Sequence, residues 1–333
     1  MMRKPIKYIL LIITWIVCSI YGVIIHKYKI FPYGSIKTVY IQLKHDSNDI
    51  VPQNAYGPWS IGIYEGPTPF DLSPPENISN PVLTWMNITD RDAKFVADPF
   101  MVFEDEKYFM FFEMLNLNTK QGDIAYAESA DGKNWNYRKV VIDEKFHLSY
   151  PYVFKWENNY YMIPESHRDF SVRLYKAKKF PEEWEYVGNL LSGYRNVDPS
   201  IFRYKDKWWM FVSTGDNEIL NLFFSDNLFK GWQPHPKNPI VKLDKHFSRS
   251  GGRVIHYNGN LFRLAQDDDP SYGIQVFAFE ITELSETSYA EKLASKKPIV
   301  TKTNIGWNAA GMHNVDPQKI GNKWIAVVDG RNR

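Results

Sequence analysis

Carboxylate side chains stand at matched places along this sequence. Asp98 and Asp198 each precede a proline at the start of an apolar segment, and Glu165 closes a similar segment. Hydrolysis or transfer at the anomeric carbon of a sugar needs two such groups, because one carboxylic acid protonates the leaving oxygen while a carboxylate activates water or attacks. Asp98 is therefore a candidate base or nucleophile. Glu165 is a candidate general acid, and Asp198 would orient groups or keep the pKa of the acid high.

These carboxylates belong to a repeat. The copies are "DPFMVFEDEKYFMFFE" from Asp98, "YPYVFKWENNYYMIPE" from Tyr150, "DPSIFRYKDKWWMFVS" from Asp198, "GGRVIHYNGNLFRLAQ" from Gly251 and a shorter "DPQKIGNKWIAVVD" from Asp316. Each copy has an apolar strand, a polar turn and an aromatic strand, which predicts a hairpin. Further strand patterns follow in the first four copies. Four antiparallel strands at a period near fifty residues predict a propeller blade, whereas two separate sandwich domains would leave the repeat unexplained.

We predict an all-β fold, a five-bladed β-propeller over residues 56–333. The last copy is too short to form a whole blade, so strands from the N-terminal side must complete it. We expect "WSIGIYEG" and "NPVLTWM" to supply them. Such closure joins the ends of the ring and hides exposed strand edges.

A propeller would bring the hairpin ends together. The first strand of each blade lies innermost and the second returns antiparallel, so both ends of each hairpin should face one mouth of the central channel. The predicted substrate-binding residues at that mouth are Glu113, Tyr150, Arg253, Asp267, His313 and Asp316. The alternative is structural, because Asp-Pro is a common turn pair and a lone histidine is more often a hydrogen-bonded core residue.

The composition of the chain excludes several classes of binding partner and metal site. The chain has 40 basic and 38 acidic residues, well mixed, which argues against nucleic acid as a partner. The single cysteine, Cys18, excludes a disulfide framework and a multi-cysteine metal site. No histidine pair has metal-ligand spacing, so we predict no metal and no cofactor, with calcium in the central channel left open. Nothing indicates an oligomeric state.

The N-terminal region predicts a membrane anchor. A basic tail (residues 1–5) precedes "IKYILLIITWIVCSIYGVII" (residues 6–25), which is long and apolar enough to cross a bilayer as a helix. A cleaved signal peptide is the competing interpretation. Residues 26–55 would form a stalk. We expect a single-pass membrane protein with a cytoplasmic N-terminus and the propeller on the extracytoplasmic side.

Several segments resemble one known family. They are "WSIGIYEGPTPFDL", "FVADPFMVFEDEKYFMFFE", "GDIAYAESADGKNW", "YPYVF…YYMIPES" and "VDPSIF…WWMF". In order and wording these resemble the N-terminal domain of plant glucosamine inositolphosphorylceramide transferases and its bacterial relatives, over most of residues 56–333. The resemblance implies a glycan context. In the plant proteins the recognised glycosyltransferase domain lies further along the chain.

The chain is also similar, more distantly, to five-bladed glycosidases of the family 43, 32 and 62 type and to related phosphorylase and mannosyltransferase propellers. That resemblance implies catalytic roles for Asp98 and Asp198, and "GMHNVDP" is similar to a glycine-histidine-asparagine stretch that would place His313 near the channel. In those enzymes the acid usually opens a first strand, whereas Glu165 ends a second strand.

The leading interpretation is a membrane-anchored enzyme that hydrolyses or transfers glycosides on a cell-surface polysaccharide or glycolipid. The alternative is a non-catalytic glycan-binding module that assists a glycosyltransferase. A third, protein-interaction propeller would not need so acidic a funnel.

Overall fold

The computed structural model describes residues 57–214, 217–303 and 305–333, which form strands and two short 3-10 helices. The predicted membrane span, tail and stalk lie outside these residues. Within the described ranges, the structure contains no helix with the length and hydrophobicity that a bilayer crossing requires.

Antiparallel strands account for the architecture. Two strands open the described part, β1 (Trp59–Thr68) and β2 (Asp71–Ser73). The first blade contains β3 (Ala93–Glu104), β4 (Lys107–Asn116), β5 (Gln121–Ser129) and β6 (Asn136–Ile142). The second contains β7 (Ser149–Trp156), β8 (Asn159–Ser166), β9 (Ser171–Lys179) and β10 (Glu183–Ser192). The third contains β11 (Asn196–Tyr204), β12 (Lys207–Thr214), β13 (Ile219–Ser225), β14 (Gln233–Pro234) and β15 (Val241–Lys242).

The remaining strands complete the ring. The fourth blade contains β16 (Arg249–Ser250), β17 (Ile255–Tyr257), β18 (Asn260–Asp267), β19 (Gln275–Leu284), β20 (Tyr289–Leu293) and β21 (Val300–Thr301). The fifth combines β22 (Val315–Ile320) and β23 (Lys323–Arg331) with β1 and β2 in the order β2-β1-β23-β22. The predicted all-β, five-bladed propeller is confirmed.

The fifth blade joins the two ends of the propeller. β1 pairs with β23 from Trp59 opposite Arg331 to Gly66 opposite Trp324, as expected for "WSIGIYEG". The expectation for "NPVLTWM" is wrong, because the outermost strand is β2. In that segment Leu83 forms only an isolated bridge, and Thr84 caps a 3-10 helix at Trp85–Asn87. A threonine side chain bonded to a nearby backbone amide competes with strand pairing.

The first three inner strands share a bulge at the predicted opening position. The pairing register shifts there in each blade. Asp98, Tyr150 and Asp198 have φ of 51°, 46° and 47°. A left-handed backbone is uncommon for residues other than glycine, and the following proline disfavours the right-handed helical conformation. The equivalence of these three positions is therefore a property of the backbone as well as of the sequence.

The fifth hairpin has a different register from the one expected. Counting from the two-residue turns, Glu104 pairs with Lys107 in the first blade and Ile320 pairs with Lys323 in the fifth. Six residues before these positions stand Asp98 and Asn314. The residues aligned in this way form a first tier of Asp98, Tyr150, Asp198, Gly251 and Asn314. Two residues further along the inner strands lies a second tier of Phe100, Tyr152, Ser200, Arg253 and Asp316.

The core lies between the blades. Phe111 is fully buried, and its ring lies 5.5 Å from that of Trp184 and 5.9 Å from that of Phe180, so side chains of the first two blades interlock. Truncating such a phenylalanine to alanine costs about 3–5 kcal/mol. This packing holds the inner strands, and hence the two tiers, in place.

Candidate functional site

Carboxylates at the channel mouth accept hydrogen bonds from the backbone amides of first-tier residues. The Asp98 N–H donates to Asp329 Oδ2 at 3.1 Å, and the Tyr150 N–H donates to Asp98 Oδ2 at 3.3 Å. The Asp198 N–H donates to Glu165 Oε2 at 3.1 Å. These bonds link the fifth blade to the first, the first to the second and the second to the third. Asp329, Asp98 and Glu165 therefore all have a structural role.

Glu113 departs from this pattern. It lies near the end of β4, as Glu165 lies near the end of β8, but the amide that it would hold, that of Tyr150, already donates to Asp98. Its Oε1 lies 3.4 Å from His147 Nε2. The Gly122 N–H donates to His147 Nδ1 at 2.8 Å, so the hydrogen of a neutral ring is on Nε2. Among the described residues Glu113 has no further hydrogen bond, which leaves a carboxyl oxygen available.

Arg249 neutralises Asp198. Its Nε donates to Asp198 Oδ2 at 2.5 Å and its Nη2 to Oδ1 at 3.3 Å, a two-pronged contact. Nη2 also lies 3.5 Å from Glu165 Oε2, and Gln266 Nε2 donates to Asp198 Oδ2 at 2.9 Å. Arg249, which lies two residues before Gly251, was not among the predicted site residues. The fourth blade has glycine in the first tier, so a charged side chain from this blade could come only from a neighbouring residue.

His313 joins the fifth blade to Asp98. Its Nε2 lies 3.4 Å from Asp98 Oδ1 and its Nδ1 lies 2.7 Å from Asp329 Oδ2. Burial alone would lower the pKa of His313, but the charges of Asp329 and Asp98 outweigh it and raise this pKa. The three side chains offer atoms within 4.8 Å of one another, a set that could hold a metal ion.

An aromatic wall stands beside this group. The Trp59 ring stacks on His313 with centroids 4.1 Å apart, and Tyr272 meets His313 edge-on at 5.2 Å. The Arg249 guanidinium lies 5.2 Å from the centroid of Tyr272. Neither Trp59 nor Tyr272 was predicted for the site, since single aromatics in an aromatic-rich sequence carry no positional signal.

The mouth retains protons at neutral pH. Burial raises the pKa of Asp98 to about 7 and that of Asp198 to about 7. Burial, reinforced by the charges of Asp98, Glu165 and Asp198, raises the pKa of Glu113 well above its ordinary value. Burial also lowers the pKa of His147 and of His167 to about 3, so both rings are neutral. Protonated and ionised carboxyl groups thus coexist in one small volume, as acid–base chemistry requires.

The structure brings together Asp98, Glu113, Glu165, Asp198 and His313. Tyr150 lies beside them, but its hydroxyl donates to Gly252 O and accepts from Gly252 N–H, at 2.9 Å each. Asp267 is occupied by residues around its own loop: it accepts from Gln275 Nε2 at 2.8 Å and from the Asp269 N–H at 3.1 Å, and its Oδ1 lies 2.9 Å from His246 Nδ1.

Arg253 and Asp316 do not lie at this mouth. They occupy the second tier and form an ion pair with each other, in which Arg253 Nη2 donates to Asp316 Oδ2 at 3.0 Å. The expected placement is wrong because it counted the fifth hairpin from its Asp-Pro pair, whereas the turn at residues 321–322 sets the register. The carboxylate of the fifth blade at the mouth is Asp329.

Fold and site together define a five-bladed β-propeller with a buried carboxylate cluster at one mouth of its channel. The chain belongs to the family described as glucosamine inositolphosphorylceramide transferase 1, N-terminal, whose model matches residues 51–331. It is 36% identical over 300 residues to glucosamine inositolphosphorylceramide transferase 1 of Oryza sativa subsp. japonica, and 33% identical over 298 residues to that of Arabidopsis thaliana. Each alignment covers 82% of this chain. The matched region spans only 40% of the rice protein and 39% of the Arabidopsis protein.

Solved structures share the architecture. The chain is similar to a beta-1,2-mannobiose phosphorylase from Listeria innocua, with a TM-score of 0.58 and 14% identity, covering 80% of this chain and 96% of that one. It is also similar to the catalytic domain of a Coprinopsis cinerea GH62 alpha-L-arabinofuranosidase, with a TM-score of 0.57 and 13% identity, covering 83% and 97%. At these identities the likeness shows the fold alone.

Proposed function

We propose that this propeller binds a glycan at its carboxylate mouth and acts on a glycosidic bond, by hydrolysis or by transfer. One observation carries the proposal: Glu113 is buried among ionisable neighbours, burial and their charges raise its pKa well above the ordinary value, and among the described residues it holds no backbone amide. A structural carboxylate would be expected to hold an amide, as Glu165 and Asp329 do. The names of the relatives and the fold shared with glycoside-active propellers support a glycan as the substrate.

The proposed mechanism assigns the acid to Glu113 instead of Glu165. Both Glu165 oxygens are occupied, Oε1 by His167 Nδ1 and Oε2 by the Asp198 amide, so Glu165 holds Asp198 and Arg249 in place. The Glu113 proton passes to the leaving oxygen as the bond from that oxygen to the anomeric carbon breaks. Water or an acceptor hydroxyl attacks the same carbon and gives its proton to Asp98; in a retaining reaction Asp98 would attack first. These steps use side chains only and need no cofactor.

A second function is a non-catalytic glycan-binding module. Two observations favour it. Asp98 and Glu165 accept hydrogen bonds from backbone amides, which is a structural role. The chain also matches only 40% of the rice relative. In that case the mouth would hold a glycan for a glycosyltransferase.

The test exposes the full chain to a panel of polysaccharides, glycolipids and oligosaccharides and measures both binding and products by mass spectrometry. Catalysis predicts a product that falls roughly 10²–10⁴-fold in Glu113→Gln, the range for loss of a general acid, with binding retained. Glu183→Gln, on an exposed glutamate of β10, is the matched control. Binding with no product for any glycan establishes the binding module, and absence of both contradicts a glycan site.

We further propose that residues 6–25 anchor the chain in a membrane and that the propeller works on the extracytoplasmic side. The apolar length of that segment supports this proposal. Protease added outside intact cells should digest the propeller, and protection of the propeller would contradict the orientation.

A further inference from the structure

A cavity lies toward the turn ends of the inner strands, away from the carboxylates of the first tier. It has a volume of about 480 Å³ and is lined by Tyr152 and Arg253 of the second tier and by residues nearer the turns, not by the carboxylates of the first tier. Its lining includes Tyr152, Trp156, Arg203, Arg253 and Lys319. The size suits a small ligand.

Arg253 lies at the inner end of this cavity with part of its guanidinium uncommitted. Nη2 donates to Asp316 Oδ2 at 3.0 Å and to the carbonyls of Val153 and Met101 at 3.3 and 3.4 Å, and Nε donates to Asp316 Oδ1. Among the described residues Nη1 has no acceptor. The Asp316 contact fixes the group, so its free edge is preorganised for an oxyanion.

The cavity is otherwise basic. None of its described lining residues is aspartate or glutamate. Lys319 is exposed and has no acidic partner among the described residues. Arg203 pairs only with Asp206, whose side chain is 95% exposed, and such surface pairs bind weakly. A ligand with two negative charges could therefore draw on three cations.

Aromatic side chains add a surface for an apolar or sugar-like body. Phe154 and Trp156 line the cavity and are partly exposed, and the Arg203 guanidinium lies over the Trp156 ring at 4.7 Å. A free inorganic anion would use the cations only. A phosphate ester with a ring or polyol body would use both.

We propose that this cavity binds the phosphate monoester of a sugar or polyol, with Arg253 Nη1, Lys319 and Arg203 facing the phosphate. The Arg253–Asp316 pair lies between this cavity and the carboxylate mouth, so the site is separate from the proposed catalytic one. The charge contrast supports separate ligands, because an acidic mouth repels the anion that a basic cavity attracts.

The experiment titrates the full chain with glucose 6-phosphate, with glucose and with inorganic phosphate, using calorimetry at low salt. We expect glucose 6-phosphate to bind at least tenfold more tightly than either part alone, and the affinity to fall as salt rises. Lys319→Gln and Arg203→Gln should each weaken binding roughly threefold to tenfold, as loss of a charge-assisted contact at an open site implies. Lys296→Gln, on an exposed lysine between β20 and β21, should leave binding unchanged.

Other results overturn the proposal. Equal binding of glucose and glucose 6-phosphate, or ester binding that neither Lys319→Gln nor Arg203→Gln weakens, rules out this site for a phosphate monoester. Binding to phosphatidylglycerol vesicles without any binding of the free ester also rules it out, in favour of a lipid headgroup. Asp98→Asn should not change ester binding, so failure here and failure of the proposed glycan chemistry are distinguishable.

Discussion

Replacing Glu113 by glutamine should make the protein more stable than the wild type, and the difference in free energy of unfolding should grow as the pH rises. Glutamine has nearly the same shape and its Oε1 can still accept from His147 Nε2, which lies 3.4 Å from the glutamate oxygen. The substitution therefore removes the titration of the side chain with little change in contacts. Below the ordinary pKa of glutamate, 4.5, the wild type and the variant should have similar stability.

The sign follows from proton binding. The pKa of Glu113 is raised in the folded state, so above pH 4.5 the unfolded chain loses this proton while the folded chain keeps it. The wild-type stability that Glu113 contributes is thus fully present below its unfolded pKa and is lost as pH rises toward its folded pKa. Glutamine cannot lose a proton, so the variant avoids this loss.

The magnitude is set by one proton. Wild-type free energy of unfolding should fall relative to the variant by about 1.4 kcal/mol for each pH unit while the folded protein retains the proton. Urea unfolding followed by tryptophan fluorescence at pH 5, 6 and 7 measures it. Glu183→Gln, on the exposed face of β10, provides the control. A stability difference between wild type and Glu113→Gln that stays constant across this range would show that Glu113 does not keep its proton in the folded protein.

Two further changes test the scaffold of the mouth, both by urea unfolding. Asp198→Ala should cost about 3–5 kcal/mol, because it leaves Arg249, whose side chain is only 13% exposed, without its main carboxylate; a cost under about 1 kcal/mol would show that Arg249 readily finds another partner. Gly252→Ala should cost at least about 3 kcal/mol, since its Cβ would lie 2.0 Å from Val315 O. Gly259→Ala, where φ is +81° but no atom lies within 4 Å, should cost about 1 kcal/mol, and equal costs for the two glycines would contradict the close approach.

The sequence predicts most of the fold because each blade repeats a local pattern. Strand, turn and aromatic strand recur five times, and the Asp98, Tyr150 and Asp198 positions share one bulge. The fifth blade could be predicted to need an N-terminal strand, since its outer strands were missing. Which segment became its last strand could not, because the competing Thr84 cap is a local choice between two weak signals.

The site was predictable only in part, since burial and pairing depend on contacts between blades. Repeat position placed Asp98, Glu113, Glu165 and Asp198 at one mouth. It could not separate Glu113, with an oxygen to spare, from Glu165, with both oxygens occupied, because that difference arises from which carboxylate holds the Tyr150 amide. Arg249 and Trp59 reach the site from outside the repeat motif.

The assignment of Glu113 as general acid can be tested through the leaving group. Using the glycoside found in the panel, turnover of wild type and Glu113→Gln is compared on an alkyl glycoside and on a dinitrophenyl glycoside, whose leaving group needs no proton. If Glu113 is the general acid, the variant should lose roughly 10²–10⁴-fold on the alkyl glycoside and little on the dinitrophenyl glycoside. Equal losses on the two substrates, or full activity of Glu113→Gln on both, would contradict it.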